Sequence, residues 1–289
     1  MQLYIYAKSG HSFGLENVRR ASALYNMLKT ENPILCTADY RAATFAKAEL
    51  GVDKGVGIDV IGNLPNVMER GDILIYDDSN EASATMQSHM EEFCKHIYKV
   101  GKDIPIDIVD ESFFERVESK RDKVIFFSDD DYSNWFLELS EKSTKCHDIP
   151  MLWGHYFFFK NESRFNKVYN EVIEEEEYKE TIQSTKYLLT SSIHSCLESL
   201  ASGNNPIYFK RLDKQKIENY PLLEKYNIPT IEKENFDNLD DIIDEYEKII
   251  QNYPSINKIA KYDIHLVKSE ISDTLKLFES IKPSLEYKF

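Results

Sequence analysis

The chain has 289 residues, more than a comfortable single domain, so two domains of about 100–150 residues each are expected; a hydrophobic share of 42% is enough for ordinary cores. Its 50 acidic and 35 basic residues leave a formal net charge of −15, which excludes a nucleic-acid backbone or an anionic membrane as a general partner but still allows a local basic pocket for a small anion. The four cysteines (Cys36, Cys94, Cys146, Cys196) share no Cys-x-x-Cys spacing and read as small buried hydrophobes of a reducing compartment. The N-terminus reads as a strand, and no apolar run approaches the ~18 residues of a membrane span, so the expected location is the cytoplasm without integral membrane association.

Apolar runs then alternate with helical patterns. Leu3 to Ala7 is a first strand, and after a Gly-containing turn Val18, Ala21, Leu24, Tyr25 and Leu28 recur at helical spacing. Pro33 to Thr37 is a second strand, followed by an Ala-rich helix over Arg41 to Leu50 that Gly51 closes. Asp59 to Ile61 is a short third strand; Asp72 to Tyr76 is a fourth, ending on Asp77 and Asp78. An amphipathic helix over about Ala82 to Val100 precedes a fifth strand, Ile104 to Val109, and the charged Glu115 to Lys123 reads as a linker.

The order restarts with a strand at Val124 to Phe127 ending on Ser128-Asp-Asp-Asp131, a helix at Trp135 to Ser140 and an apolar strand over Met151 to Phe159. A solvated acidic helix (Glu171 to Glu180), strands at Tyr187 to Leu189 and Ile207 to Phe209, the segment Tyr226 to Ile231, a helix over Leu239 to Ile250 and a last helix from about Ile256 to Ile281 complete it. The pattern is α/β: two tandem Rossmann-like, doubly wound domains over 1–115 and 120–289, the second ending in a C-terminal helix, with strand ends around a shared cleft.

The most informative stretch is Thr190 to Phe209, a strand end, a Ser-rich turn, a short helix carrying Glu198, a stop at Gly203 and a new strand from Pro206. A turn of small hydroxyl residues opening a helix leaves backbone N–H groups pointing outward at the positive end of the helix dipole, where a phosphate can sit. Ser191 and Ser192 are therefore candidates for a phosphate, or simply caps; Glu198 can accept hydrogen bonds from sugar hydroxyls, or be a surface residue; His194, in the helix's first turn, is a candidate to face the ligand.

A second informative stretch, Ala7 to Arg20, places Gly10, His11 and Gly14 between the first strand and helix, with His11 as candidate base and Lys8 as anion ligand, or an ordinary turn with an exposed histidine. It is no dinucleotide fingerprint, since Gly-x-Gly-x-x-Gly is absent. Asp129 and Asp131 have the Asp-x-Asp spacing that holds a divalent ion against a diphosphate, but an Asp run at a strand end is more often a helix cap, and no metal is expected. His155, flanked by Trp153, Tyr156 and Phe157, reads as a packed cleft or core residue.

The strand, turn and helix with Ser191, Glu198, Ala201, Gly203 and Pro206 resembles the nucleotide-sugar signature of GT-B glycosyltransferases, notably the lipid-linked GlcNAc transferase of peptidoglycan synthesis. Over most of the chain the resemblance is closer to the UDP-sugar hydrolase of pseudaminic acid biosynthesis, through the Gly turn leading to Arg20, Asp72 to Asp77, Ile106 to Asp110 and Val124 to Phe127. It implies that Glu198 binds the ribose of UDP and that Ser191 and Ser192 face the diphosphate; Gly10, Gly14, Arg20, Asp77, Asp129 and His155 are candidate cleft residues. The family's essential histidine falls on Asn17, an amide that cannot act as a base at neutral pH, and Asp129 to Asp131 replace a glycine-rich turn, which would repel a diphosphate. The implied function is a glycosyltransferase or nucleotide-sugar hydrolase of surface-glycan biosynthesis, acting without cofactor on a UDP-sugar and an unidentified acceptor; the alternative is a non-catalytic homologue that binds or scaffolds.

Overall fold

The computed structural model describes residues 1–214 and 219–286. The chain divides into two compact units, one built from residues 1–9, 17–108 and the segment from Tyr262 onward, the other from residues 10–16 and 109–261.

In the first unit, β1 (Leu3–Ala7), α1 (Glu16–Met27), β2 (Ile34–Thr37), α2 (Tyr40–Glu49), β3 (Gly55–Gly57), β4 (Ile73–Asp77), α3 (Ala84–Phe93) and β5 (His96–Lys99) form a parallel sheet in the order β3-β2-β1-β4-β5. β1 and β4 are buried along their whole length, which is why they read as unbroken apolar runs. Tyr4, Tyr6, Leu74 and Tyr76 pack on one face with Leu64, Met68 and Met90. By the two-residue alternation of strands, Leu3, Ile5, Ile73 and Ile75 serve the other face.

The second unit carries β6 (Arg121–Phe126), α4 (Trp135–Glu141), β7 (Met151–Leu152), α5 (Glu162–Phe165), β8 (Val172–Ile173), α6 (Tyr178–Ser184), β9 (Thr185–Thr190), α7 (Ile193–Ala201), β10 (Asn205–Phe209), α8 (Pro221–Tyr226), β11 (Thr230–Ile231) and α9 (Leu239–Gln251). Its sheet is parallel in the order β11-β10-β9-β6-β7-β8. Ile125, Phe127, Leu189, Ile207 and Phe209 pack with Phe136 of α4 and Ile242 and Tyr246 of α9 on one face; Phe126 meets Tyr178 of α6 on the other. In both sheets the strand order reverses about the first strand, between β1 and β4 and between β6 and β9, which is where doubly wound sheets place their ligand crevice.

The structure corrects several expected elements. The last helix, α10 (His265–Glu286), starts later than expected and belongs with the first unit: Tyr98 Oη of β5 donates to Glu270 at 2.7 Å, and Lys268 Nζ reaches the Met27 carbonyl at 3.2 Å. A second domain over 120–289 is therefore corrected at its far end, and its last three residues lie outside the described ones. The Gly10–Glu16 turn packs with the second unit, and Arg121 to Lys123, expected as linker, open β6, their charges paired with Glu171 and Glu247. The fifth strand is His96–Lys99; the expected Ile104–Val109 contains Pro105, which has no N–H for a ladder. The third strand is Gly55–Gly57, because Ile61 instead opens a 3-10 turn. The acidic segment is a short strand, a 3-10 turn and α6.

The expected strand over Met151–Phe159 stops at Leu152, since the Phe157 N–H turns back to the Gly154 carbonyl at 2.9 Å and the Tyr156 N–H to Asp129 at 2.8 Å. A Cβ on Gly154 would lie 2.4 Å from the Ser128 carbonyl oxygen and 2.6 Å from the Phe157 ring. Gly154→Ala is therefore expected to cost about 1–3 kcal/mol by forcing β6 and this turn apart. Urea unfolding checks this, and an unchanged midpoint would contradict it.

Candidate functional site

The carboxyl ends of β6 and β9 lie side by side, because the Ser191 N–H donates to the Phe127 carbonyl at 2.8 Å. From these adjacent ends the chain diverges into two turns, Ser128–Asp131 and Ser191–Ser192. Ser191 Oγ donates to the Phe209 carbonyl at 2.6 Å, tying β9 to β10. Ser192 is the N-cap of α7, its Oγ accepting the Ser195 N–H at 3.1 Å and the Ser195 hydroxyl at 2.8 Å. Both serine hydroxyls thus work inside the protein, and what the start of α7 could offer an anion is its dipole end and first-turn amides.

One turn into α7, His194 is 1% exposed and neither ring nitrogen has a hydrogen-bond partner among the described residues, although Nε2 lies 3.4 Å from Glu198 Oε1. Glu198, 2% exposed, faces α6 and takes a short hydrogen bond from the Tyr178 hydroxyl on Oε2. Tyr178 Oη also lies 2.7 Å from Ser195 Oγ. Ser192, Ser195, Glu198 and His194 at the start of α7 and Tyr178 of α6 form one buried polar cluster. Tyr178 and Ser195 were not singled out by sequence; the available signal is an aromatic ending the run Glu174–Glu177, with Thr181 and Ile182 following at helical spacing.

The three aspartates are buried and compensated from within. Asp130 pairs with Arg211 at 3.1 Å and Lys214 at 3.2 Å; Arg211 also grips Asp213 and lies 4.4 Å over the Phe127 ring. Asp129 accepts the Leu15 N–H at 3.2 Å, beside Gly14, whose φ of +74° is one that L side chains rarely adopt and where an added Cβ would lie a tight 3.3 Å from the Asp129 Cβ. Asp131 accepts the N–H groups of Phe136 and Leu137, both at 3.0 Å, and so anchors the start of α4. The repulsion toward a diphosphate expected from this run is thereby reduced. Among the described residues no three His, Cys, Asp or Glu side chains group to hold a metal ion.

His11 sits in the same unit, in the turn where the Gly10 carbonyl accepts the Phe13 and Gly14 N–H groups. Its ring is 5.1 Å from Tyr156 and 5.9 Å from both Tyr132 and Phe158, and Nδ1 is buried with no hydrogen-bond partner among the described residues. His155 is buried; its Nδ1 lies 2.9 Å from Glu175 Oε2.

In the first unit Asn17 Nδ2 donates to Ser79 Oγ at 2.7 Å while its Oδ1 accepts from Arg20 at 2.8 Å, and Arg20 Nε donates to Asp77 at 2.7 Å. Asn17 is thus part of a buried network that fastens α1 to the end of β4. His11 and Asn17 belong to different units.

Burial pushes the Asp131 carboxyl up to about 6, against the pull of two backbone N–H groups and Arg211. The folded state therefore holds a proton that the unfolded chain releases near pH 4, and this group's contribution to stability is complete below pH 4 and lost as the pH rises to about 6. The stability of the wild type relative to Asp131→Asn should fall by about 2 kcal/mol between pH 4 and pH 7. Urea denaturation of both proteins across that window measures it, and a pH-independent difference would refute it.

No protein-family model and no curated protein matches the chain. Among solved structures, one described as a UDP-N-acetylglucosamine 2-epimerase of Listeria monocytogenes is similar with a TM-score of 0.52 and 9% identity, over 87% of this chain and 89% of that one. The MnaA protein of S. aureus, solved with UDP, is similar with a TM-score of 0.52 and 8% identity, over 86% of this chain and 88% of that one. At such identities the likeness is one of fold: two Rossmann-like, doubly wound sheets in tandem, GT-B-like.

Proposed function

We propose that the second unit binds a nucleotide-sugar, UDP-linked, at the carboxyl ends of β6 and β9, and that the protein transfers or hydrolyses the sugar at its anomeric carbon in surface-glycan biosynthesis. The observation that carries this reading is the start of α7: a capped helix end at the switch point of a doubly wound sheet, with a buried histidine whose two nitrogens find no hydrogen-bond partner among the described residues and a buried glutamate one turn beyond. The diphosphate sits on the first-turn amides of α7 beside His194, and Glu198 accepts a ribose hydroxyl. Lys214, partly exposed beside Asp130, adds positive charge at the same strand ends. S. aureus MnaA, of similar fold, was solved with UDP, the ligand class proposed here. No cofactor is proposed, the acceptor is unassigned, and the proposed location is the cytoplasm, in keeping with four free cysteines.

Asn17 favours a second reading, a non-catalytic homologue that binds or scaffolds, because both ends of its amide are engaged by Ser79 and Arg20. In the catalytic reading the base is His11, whose imidazole can take a proton where an amide cannot.

Calorimetric titration with UDP, UDP-sugars and CMP-sugars is expected to show UDP binding. Glu198→Gln should weaken it about tenfold, the scale of a hydrogen bond to a charged group. Absence of binding at millimolar concentrations of every nucleotide would remove both readings. If UDP-sugar turns over, His11→Ala should slow it by about a hundredfold or more, and unaltered turnover would exclude His11 from the chemistry.

A further inference from the structure

Glu198 is a buried carboxylate, and its two oxygens have different surroundings. Oε2 takes the hydrogen bond of Tyr178, whereas Oε1 lies 3.4 Å from the His194 ring. Tyr178 itself has little freedom. Its ring stands edge-on against Phe126 of β6, with centroids 5.2 Å apart, and its hydroxyl oxygen lies 2.7 Å from Ser195 Oγ, whose one proton goes either to it or to Ser192 Oγ at 2.8 Å. α6, which carries Tyr178, runs into β9 without an intervening loop. The hydroxyl is therefore positioned by the sheet, and it sets the rotation of a side chain that belongs to α7.

We propose that Tyr178 is a positioning residue which fixes Glu198 so that Oε1 alone is offered to the ligand, and that the site therefore reads one ribose hydroxyl of the nucleotide rather than both. This inference rests on the reading of Glu198 as the ribose acceptor. A carboxylate free to rotate could accept from the two neighbouring hydroxyls with its two oxygens. One already committed to a phenol has a single oxygen left, and its direction is set.

Calorimetric affinities of the full chain for UDP, 2′-deoxy-UDP and 3′-deoxy-UDP test this, with circular dichroism melting as the control for folding. The wild type should lose about tenfold with one deoxy analogue and less than about twofold with the other. Tyr178→Phe removes the hydroxyl and keeps the ring against Phe126, and should bring the two analogues to within about twofold of each other. Ser195→Ala, which removes the other partner of the phenol, should reduce the discrimination in part.

Equal losses with both analogues in the wild type, or full discrimination retained in Tyr178→Phe, would overturn the proposal. So would Tyr178→Phe weakening all three ligands by one common factor, since that is what a purely structural role predicts. UDP binding with no dependence on either hydroxyl or on Glu198→Gln would overturn the inference while leaving a nucleotide site; no binding of any nucleotide would overturn the functional reading on which it stands.

Discussion

The backbone hydrogen bond from Ser191 to the Phe127 carbonyl is the constraint on which the second unit's candidate site depends. It carries the pairing of β6 and β9 one step past the regular ladder, so that two turns of opposed character leave the sheet from neighbouring points. One is a run of aspartates, the other a pair of serines opening a helix. Without that extra rung the helix end and the acidic turn would be unrelated surface features. With it, the cap of α7, its buried histidine and glutamate, and the Arg211 cluster belong to one end of one sheet.

Charge is managed there by enclosure. Burying carboxylates is costly unless each finds a cation or an N–H, and the three aspartates divide those partners among themselves, with Arg211 and Lys214 for Asp130, Leu15 for Asp129 and the start of α4 for Asp131. The same reasoning accounts for the place of Asn17 in its network. Its amide both donates and accepts, which suits a bridge between Ser79 and Arg20, whereas a histidine there could offer only one nitrogen to each side and would have to choose a protonation state.

The fold was largely legible where burial on both faces dictates composition. The run Leu-Tyr-Ile-Tyr-Ala of β1 admits no other reading once a glycine turn and a helical period follow it, and the element from Thr190 to Phe209 appears as read. Legibility failed where one residue redirects the chain. Pro105 makes an apolar stretch unfit for a ladder, and Gly154 is in contact with a carbonyl far away in sequence, which no local pattern reveals. Of the candidate site, Ser192, His194 and Glu198 fall in the buried cluster at the start of α7, while Ser191 ties β9 to β10. Tyr178 was hidden in an acidic run because its importance comes from Phe126 and Glu198, contacts that depend on tertiary packing.

The return of α10 to the first unit changes how the molecule must form. The second unit is contiguous apart from one small turn, so it can complete its core as soon as α9 has emerged during synthesis. The first unit cannot, because the helix that fastens β5 lies more than 160 residues further along the chain. Until then Tyr98 of β5, the edge strand of its sheet, lacks the Glu270 partner that α10 brings, and partly made chains with loose edge strands are prone to associate. Premature termination in the region before α10 would therefore harm the unit at the opposite end of the sequence, leaving the one it interrupts comparatively sound.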